Sequence, residues 1–359
     1  MSKARCPHRA FLFYIAFGKI ILMPLFPKRF FPRLVRFITG RSAETTQDVY
    51  INGIAVGRAK SCFFVAEIGI NHNGSIEIAK KLIDVAKDAG AQAVKFQKRT
   101  VPVVYSVEEL AKLRAVDRGV LENAIKRGVL SKEAVERLKK SDFKDSTNGD
   151  LKWALEFTEA EYREIDRYSK EKGIFWFASP WDEASVDFLE KLNPPCHKVA
   201  SAMLTHTGIL RKLREAVKPV IASTGMSTME EVKNAVNLLS GIPLVLLHTV
   251  STYPAKEEEV NLRTIAKFRQ EFPKIPIGYS GHEQGIAATL AAATLGAHVI
   301  ERHITLDKKM FGTDQSASLE PQEFGQVIKE VREIEKAWGD GVKRVWPSEI
   351  PIKEKLRKV

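Results

Sequence analysis

Three cysteines in 359 residues, Cys6, Cys62 and Cys196, are too few, odd in number and too far apart for a disulfide framework. No CxxC pair offers a zinc or redox motif, and such thiol poverty fits a reducing, cytoplasmic setting. Acidic residues are missing from positions 1–40, which hold eight Lys/Arg (Lys3, Arg5, Arg9, Lys19, Lys28, Arg29, Arg33, Arg36). Those eight make up most of the formal net charge of +12 and leave +4 for everything after residue 40. No basic stripe interleaved with aromatics runs through that remainder, which excludes a nucleic-acid surface. Long apolar runs are lacking too. The most apolar one, 10–26, is broken by Lys19 and Pro24 and falls short of the ~20 residues a membrane-spanning helix needs. Basic residues ahead of an apolar run resemble a signal peptide, yet no small-residue cleavage site follows. Residues 1–44 are therefore read as a basic, apolar extension outside the fold. Through residues 1–40 it could make peripheral contact with an anionic membrane, so the expected location is cytoplasmic, with membrane association as its variant.

What is present begins near residue 45. In "DVYINGIAVGR", Asn52-Gly53 sits between two short apolar segments, the signature of a type I′ hairpin that would cap the structure to follow. Eight apolar runs of strand length come next, at 62–69, 93–97, 174–179, 197–201, 219–224, 243–249, 275–281 and 298–305. Helical patterns lie between them. One runs from Ser75 as N-cap to Gly90, another from the capping box Thr158/Glu161 to Gly173, and a third from Ser227/Glu230 to Gly241. Further helices are expected at about 182–191, 207–216, 262–272, 285–296 and 321–337. Apolar strands alternating with amphipathic helices require a parallel sheet covered by helices. Eight such units close best as a (β/α)8 TIM barrel, of class α/β, over 45–345. A long polar insertion with a helical middle, 98–157, follows the second strand, and 346–359 is a basic tail.

In such barrels the reacting groups sit where strands end. Here the ends carry Glu67; Lys95 and Gln97; Ser179; Lys198 and Ser201; Ser223 and Thr224; His248, then Tyr253; Ser280 and His282; Glu301 and His303. One polar strand end is ordinary, but all eight together make a site. Two lysines among hydroxyls suit a phosphate-bearing anion. His282 and His303, on adjacent strands with Glu67 at hand, suit one ion of Mn²⁺, Fe²⁺, Co²⁺ or Zn²⁺. Glu301 and His303 alternate along their strand and so share a face, while Arg302 points the other way into structural pairing. A structural hydrogen bond is the better reading of His248. Asp314 lies on the last loop, where its carboxylate could approach the metal.

The segments "AEIGINHNGSIEIAKKLIDVAKDAGAQAVKFQ", "ASTGMS", "IPIGYSGHE" and "ERHITLD…GTDQSASLEP" jointly resemble the N-acetylneuraminate (sialic acid) synthase family over about residues 49–350. The resemblance implies condensation of phosphoenolpyruvate with an N-acyl amino-sugar aldehyde to a 3-deoxy-2-keto nonulosonic acid. It also implies a divalent metal, Mn²⁺ above all, with Mg²⁺ or Co²⁺ as alternatives, held by His282 and His303. Lys95, Ser179, Lys198, Ser223 and Ser280 would hold phosphoenolpyruvate, joined by Ser201. Gln97 would contact the sugar, Tyr253 would lie near the phosphoenolpyruvate carboxylate, and Glu67, Asp314 and Glu301 would be the catalytic carboxylates.

Two departures stand out. The family follows its Lys-x-x-Ser segment with an acid, whereas "KVASAML" has Met203 there, which implies an acceptor other than N-acetylmannosamine. The family's C-terminal antifreeze-like domain, which contributes to the neighbouring subunit's site, is not expected to follow the barrel, so the partner expected is either a second copy of this chain in a homodimer or a separate antifreeze-like domain protein. Two rival readings remain: a Schiff-base pyruvate aldolase using Lys95 or Lys198, and a non-catalytic barrel acting as a binding or assembly module.

Overall fold

Periodicity of two along the strands organises this computed structural model, which describes residues 46–357. The extension read at 1–44 lies outside the described residues. A hairpin comes first, β1 (Val49–Ile51) antiparallel to β2 (Ile54–Val56), and Asn52 and Gly53 both take positive φ, 48° and 78°, as a type I′ turn requires.

Eight parallel strands follow: β3 (Phe63–Gly69), β4 (Ala93–Lys98), β5 (Phe175–Pro180), β6 (His197–Val199), β7 (Val220–Ser223), β8 (Leu244–Thr249), β9 (Ile277–Gly281) and β10 (Val299–His303). Their hydrogen-bonded order is β5-β4-β3-β10-β9-β8-β7-β6, and β5 and β6, the ends of the ladder, lie against each other. The sheet is thus a nearly closed barrel.

Alternate residues divide between two cores. Phe64, Ala66, Val94, Phe96, Leu246 and Ile300 face the helices. Phe63, Val65, Ala93, Phe177, Ile221, Val245, Leu247 and Val299 fill the barrel interior, and the hairpin's Val49, Ile51 and Val56 join them from below. The expected cap is therefore a plug on the N-terminal end of the barrel. On the same inward parity, the next residue up each strand is polar: Glu67, Lys95, Ser179, Ser223, Glu301.

The helices start and stop for local reasons. Ser75 caps Ile76–Ala89 by accepting from the Ile78 N–H, and Gly90 closes it at φ 91°. Thr158 and Glu161 form a capping box on Glu159–Lys172, which Gly173 ends. The third box differs from expectation. Met229–Leu238 is capped by Thr228 with Glu231, while the Ser227 hydroxyl donates to the Gly225 carbonyl. "STMEE" contains both spacings, so the cap is fixed by the loop and not by the motif.

The insertion after β4 folds as the helices Val101–Val104, Val107–Ala111, Arg118–Arg127, Lys132–Lys140 and Asn148–Leu155. Val120, Ala124, Leu151, Ala154 and Leu155 give it a small core of its own. The tail carries an exposed helix, Ile350–Leu356. Among the described residues no helix is long and apolar enough to cross a membrane.

Candidate active site

Two lysines and two carboxylates meet inside the C-terminal mouth of the barrel. Lys95 Nζ lies 3.1 Å from Glu67 Oε2 and 3.3 Å from Glu301 Oε1, and donates to Ser179 Oγ at 3.4 Å. Lys198 Nζ donates to Ser223 Oγ at 2.6 Å and sits 3.5 Å from Glu301 Oε1, which also accepts from Ser280 Oγ at 3.1 Å. All of these groups are buried. Isolated buried charges would be prohibitive, and only this mutual pairing makes the cluster tenable.

The four groups do not share charge equally. Burial would raise the Glu301 carboxyl, but Lys198 and Lys95 outweigh it and hold it far down as a carboxylate. Glu67 goes the other way, lifted by burial to about 7 against the pull of Lys95. Burial opposes the charge on Lys95, but Glu301 and Glu67 keep its ammonium above the ordinary range. Lys198 has less compensation: burial brings it down to about 8 although Glu301 opposes this.

Gly69 makes the close packing here permissible. At φ 54° it sits where a β-carbon would come within 2.9 Å of Glu67 Oε1 and 3.2 Å of Gln97 Nε2. Gln97 Nε2 donates to Glu67 Oε1 at 2.9 Å, and its own carbonyl oxygen accepts from the Arg99 guanidinium.

The imidazoles of His282 and His303 face each other at the rim, with centroids 5.3 Å apart and planes inclined at 55°. Tyr253 packs over both, 4.1 Å from His282 and edge-on at 5.6 Å from His303. Burial, then the neighbouring His303, brings His282 down to about 3; burial, then Lys95, does the same to His303. Both rings are thus neutral, the form that binds metal. His282 Nδ1 bonds the Val250 carbonyl at 2.6 Å, which assigns the proton to Nδ1 and leaves Nε2 its lone pair. His303 Nδ1 is buried without a hydrogen-bond partner, 3.9 Å from Asp314 Oδ2.

Two facing neutral imidazoles, one with an orphaned nitrogen, fit a divalent cation of the borderline class. Among the described residues no group of three or more His, Cys, Asp or Glu is gathered as a metal cage. Such a cation would therefore keep open positions for water and substrate oxygens.

Parity settles the remaining assignments. His248 follows Leu247, which faces inward, and so points to the helices, where Nε2 bonds the Val260 carbonyl at 2.7 Å. Arg302 likewise points outward, fully buried, with Nη1 2.9 Å from Glu283 Oε1 and Nη2 donating to the Glu283 carbonyl at 2.7 Å. Tyr279 and Thr289 hydroxyls donate to the same carboxylate, and this network pins the residue after His282. Ser201 is the partial exception among the site residues. It leaves β6 for a 3₁₀ turn, and its hydroxyl accepts the Gly225 N–H at 3.0 Å, bracing the loop after β7.

Asn71 was missed by the sequence reading. Its Nδ2 donates to the Ile304 carbonyl and Ser318 Oγ, and its buried Oδ1 has no partner. The only available signal was its place in "NHNG" directly after β3. Arg99, which grips Gln97, was also missed.

Comparison with known proteins adds an independent line. The family model described as NeuB family matches residues 123–343. N-acetylneuraminate-9-phosphate synthase of Homo sapiens is 40% identical over 305 residues, covering 84% of this chain and 78% of that protein. N,N'-diacetyllegionaminic acid synthase of Campylobacter jejuni is 36% identical over 295 residues, covering 81% of each. The crystal structure of N-acetylneuraminic acid synthetase from Leptospira borgpetersenii, in complex with citrate, superposes with a TM-score of 0.70 at 29% identity, covering 88% of this chain and all of that one.

Proposed function

Because this chain belongs to the NeuB family and is an N-acetylneuraminate synthase-like transferase, we propose that it condenses phosphoenolpyruvate with an N-acyl amino-sugar aldehyde. The products would be a 3-deoxy-2-keto nonulosonic acid and phosphate. The observation that carries the reading is the pair of buried lysines, Lys95 and Lys198, beside three hydroxyls and directly below two neutral, facing imidazoles.

In this reading Lys95, Lys198 and the hydroxyls of Ser179, Ser223 and Ser280 bind the phosphate of phosphoenolpyruvate, exchanging part of their present contacts for it. Tyr253 and Gln97 border the space left for the carboxylate and the sugar. His282 and His303 would hold a divalent cation, Mn²⁺ in first place with Mg²⁺ or Co²⁺ as alternatives, which when bound polarises the aldehyde carbonyl. C3 of phosphoenolpyruvate attacks that carbonyl carbon, and the cationic C2 that results takes a water. Glu67, lifted to about 7, would accept the water's proton, which ends on the new alkoxide oxygen of the former aldehyde, and Asp314 would flank the same rim. C2–O cleavage then releases phosphate, and the lysines and serines stabilise the charge it carries away. Glu301 stays ionised throughout and keeps both lysines in place.

Lys95 bears on the aldolase reading. Held as an ammonium by two carboxylates, it is a poor Schiff-base nucleophile. The test is release of inorganic phosphate from phosphoenolpyruvate with added Mn²⁺ across a panel of N-acylhexosamines, their 6-phosphates and diacetamido sugars. Acceptor-dependent release with at least one sugar is expected. Release with none of them would leave a binding module as the better account.

A further inference from the structure

The turn after β3 reaches across to the loop that carries Asp314. Asn71, fully buried, donates from Nδ2 to the Ile304 carbonyl at 2.8 Å and to Ser318 Oγ at 2.7 Å. Ser318 Oγ donates in turn to the Asp314 carbonyl at 2.7 Å. The proton count leaves no freedom. Both carbonyls only accept, so the single Ser318 proton goes to Asp314, and the Ser318 oxygen must receive one from Asn71. Both amide protons of Asn71 are therefore committed. Its Oδ1 is buried without a hydrogen-bond partner, so the side chain is held by its donors alone.

These bonds close the loop at its base. The Leu319 N–H donates to the His303 carbonyl at 2.8 Å, and the Thr305 N–H to the Leu319 carbonyl at 3.0 Å. Ile304 is tied to β3 as well, its N–H donating to the Glu67 carbonyl at 3.0 Å. Asn71 adds a side-chain tie to both ends of the loop at once: Ile304, next to His303, and Ser318, just past Asp314. Between those ends Asp307, Lys309, Gly312 and Thr313 are exposed.

The turn is anchored from its far side. His72 stacks on Phe157 with ring centroids 4.1 Å apart, and Asn123 of the insertion donates to the Gly74 carbonyl at 2.8 Å. Gly74, at φ 70°, lies where a β-carbon would come within 2.1 Å of the Ala154 carbonyl oxygen. Packing this close leaves Asn71 little room to shift.

We propose that Asn71 is a positioning residue that clamps both ends of this loop and so fixes Asp314 beside His303, 3.9 Å from its Nδ1. The inference rests on the condensation reading above and adds to it a residue that acts through Asp314. Its test uses the full chain as wild type, Asn71→Ala, Asn71→Asp, Asp314→Asn and the double variant Asn71→Ala/Asp314→Asn. A melting curve checks folding of each. If Asn71→Ala does not fold, Ser318→Ala, which cuts only the tie to Asp314, replaces it in every arm.

Aspartate keeps the shape of asparagine but brings neither amide proton, so the two Asn71 variants should behave alike. With an acceptor that wild type uses, kcat for phosphate release should fall roughly 10- to 100-fold in both, the scale of a misplaced reacting group. KM for phosphoenolpyruvate should stay within about twofold, because Lys95 and Lys198 stand on β4 and β6, away from the clamp. Asp314→Asn should already carry the loss, leaving the double variant within about twofold of it. A merely structural role would multiply the two losses. Multiplied losses, or wild-type kcat in Asn71→Asp, overturn the proposal.

Hydrogen exchange without substrates separates this claim from the one beneath it. In Asn71→Ala the amides of Thr305, Ser318 and Leu319 should exchange at least about tenfold faster, while those of β7 and β8 keep their rates. That pattern supports the clamp even if no sugar is turned over, and the condensation reading then fails alone. Unchanged exchange at those three amides, or an equal rise throughout the barrel, overturns the clamp whatever the turnover.

Discussion

Lys95 on β4 and Lys198 on β6 both reach Glu301 Oε1, yet their surroundings give them opposite tendencies. Lys95 has two carboxylates within 3.3 Å and stays charged; Lys198 shares only Glu301, and burial lowers it to about 8. If phosphoenolpyruvate needs the Lys198 ammonium, the free enzyme loses its competent form as pH rises through that value. The sign follows directly: a lowered lysine is protonated below its folded pKa and neutral above it. Phosphate release at sub-saturating phosphoenolpyruvate should therefore fall about tenfold per pH unit above about 8, because kcat/KM reports the free enzyme. Lys198→Arg should remove that limb. A level kcat/KM across the same range would take Lys198 out of the phosphate site. At this scale the sequence was legible wherever parity applied. Glu67, Lys95, Ser179, Ser223, Glu301 and His303 continue an inward apolar series, and counting by twos finds them. Where the chain leaves the strand the count fails. Ser201 turned out to brace the Gly225 loop, and Asn71 and Arg99 act through loop geometry that no periodicity encodes.

Elements show a division of labour between the barrel's two ends. The hairpin was readable because Asn52-Gly53 can adopt the positive φ pair that few other dipeptides tolerate. Its packing shows what it does: Ile51, fully buried, sits under Phe63, Val65 and Val299 as the lowest layer of the interior. Ile51→Ala should lower the unfolding free energy by about 2–5 kcal/mol, the range for deleting a buried aliphatic side chain. Equilibrium denaturation measures this, and kcat for phosphate release should be unchanged, since reacting groups occupy the other end. A parallel fall in kcat would show that the plug also shapes the mouth. The insertion was the element least open to sequence reading. Its helices are short, and all but Val101–Val104 are capped by a local side chain, at Ser106, Asp117, Ser131 and Thr147. Only folding reveals that they close on a small core of their own.

For the whole molecule, the metal question separates stability from chemistry. Stability resides in two continuous cores, inside the barrel and between barrel and helices, neither of which includes His282 or His303. Two protein ligands on neighbouring strand ends cannot be what holds eight strands together. Chelation should therefore abolish turnover and leave the fold intact, unlike a small zinc domain that unfolds without its ion. Adding Mn²⁺ back should restore turnover and raise thermal stability by mass action, up to about 2.7 kcal/mol at a hundredfold excess over Kd. His282→Ala and His303→Ala should each lose both responses while melting near the metal-free wild type. The thermal readout matters because it does not depend on knowing the right sugar. If Mn²⁺ stabilises both variants as well as wild type, the ion binds elsewhere and these two imidazoles need another role. If chelation spares turnover and pyruvate with borohydride labels Lys198 covalently, the lysine lowered by burial is the nucleophile and the aldolase account prevails.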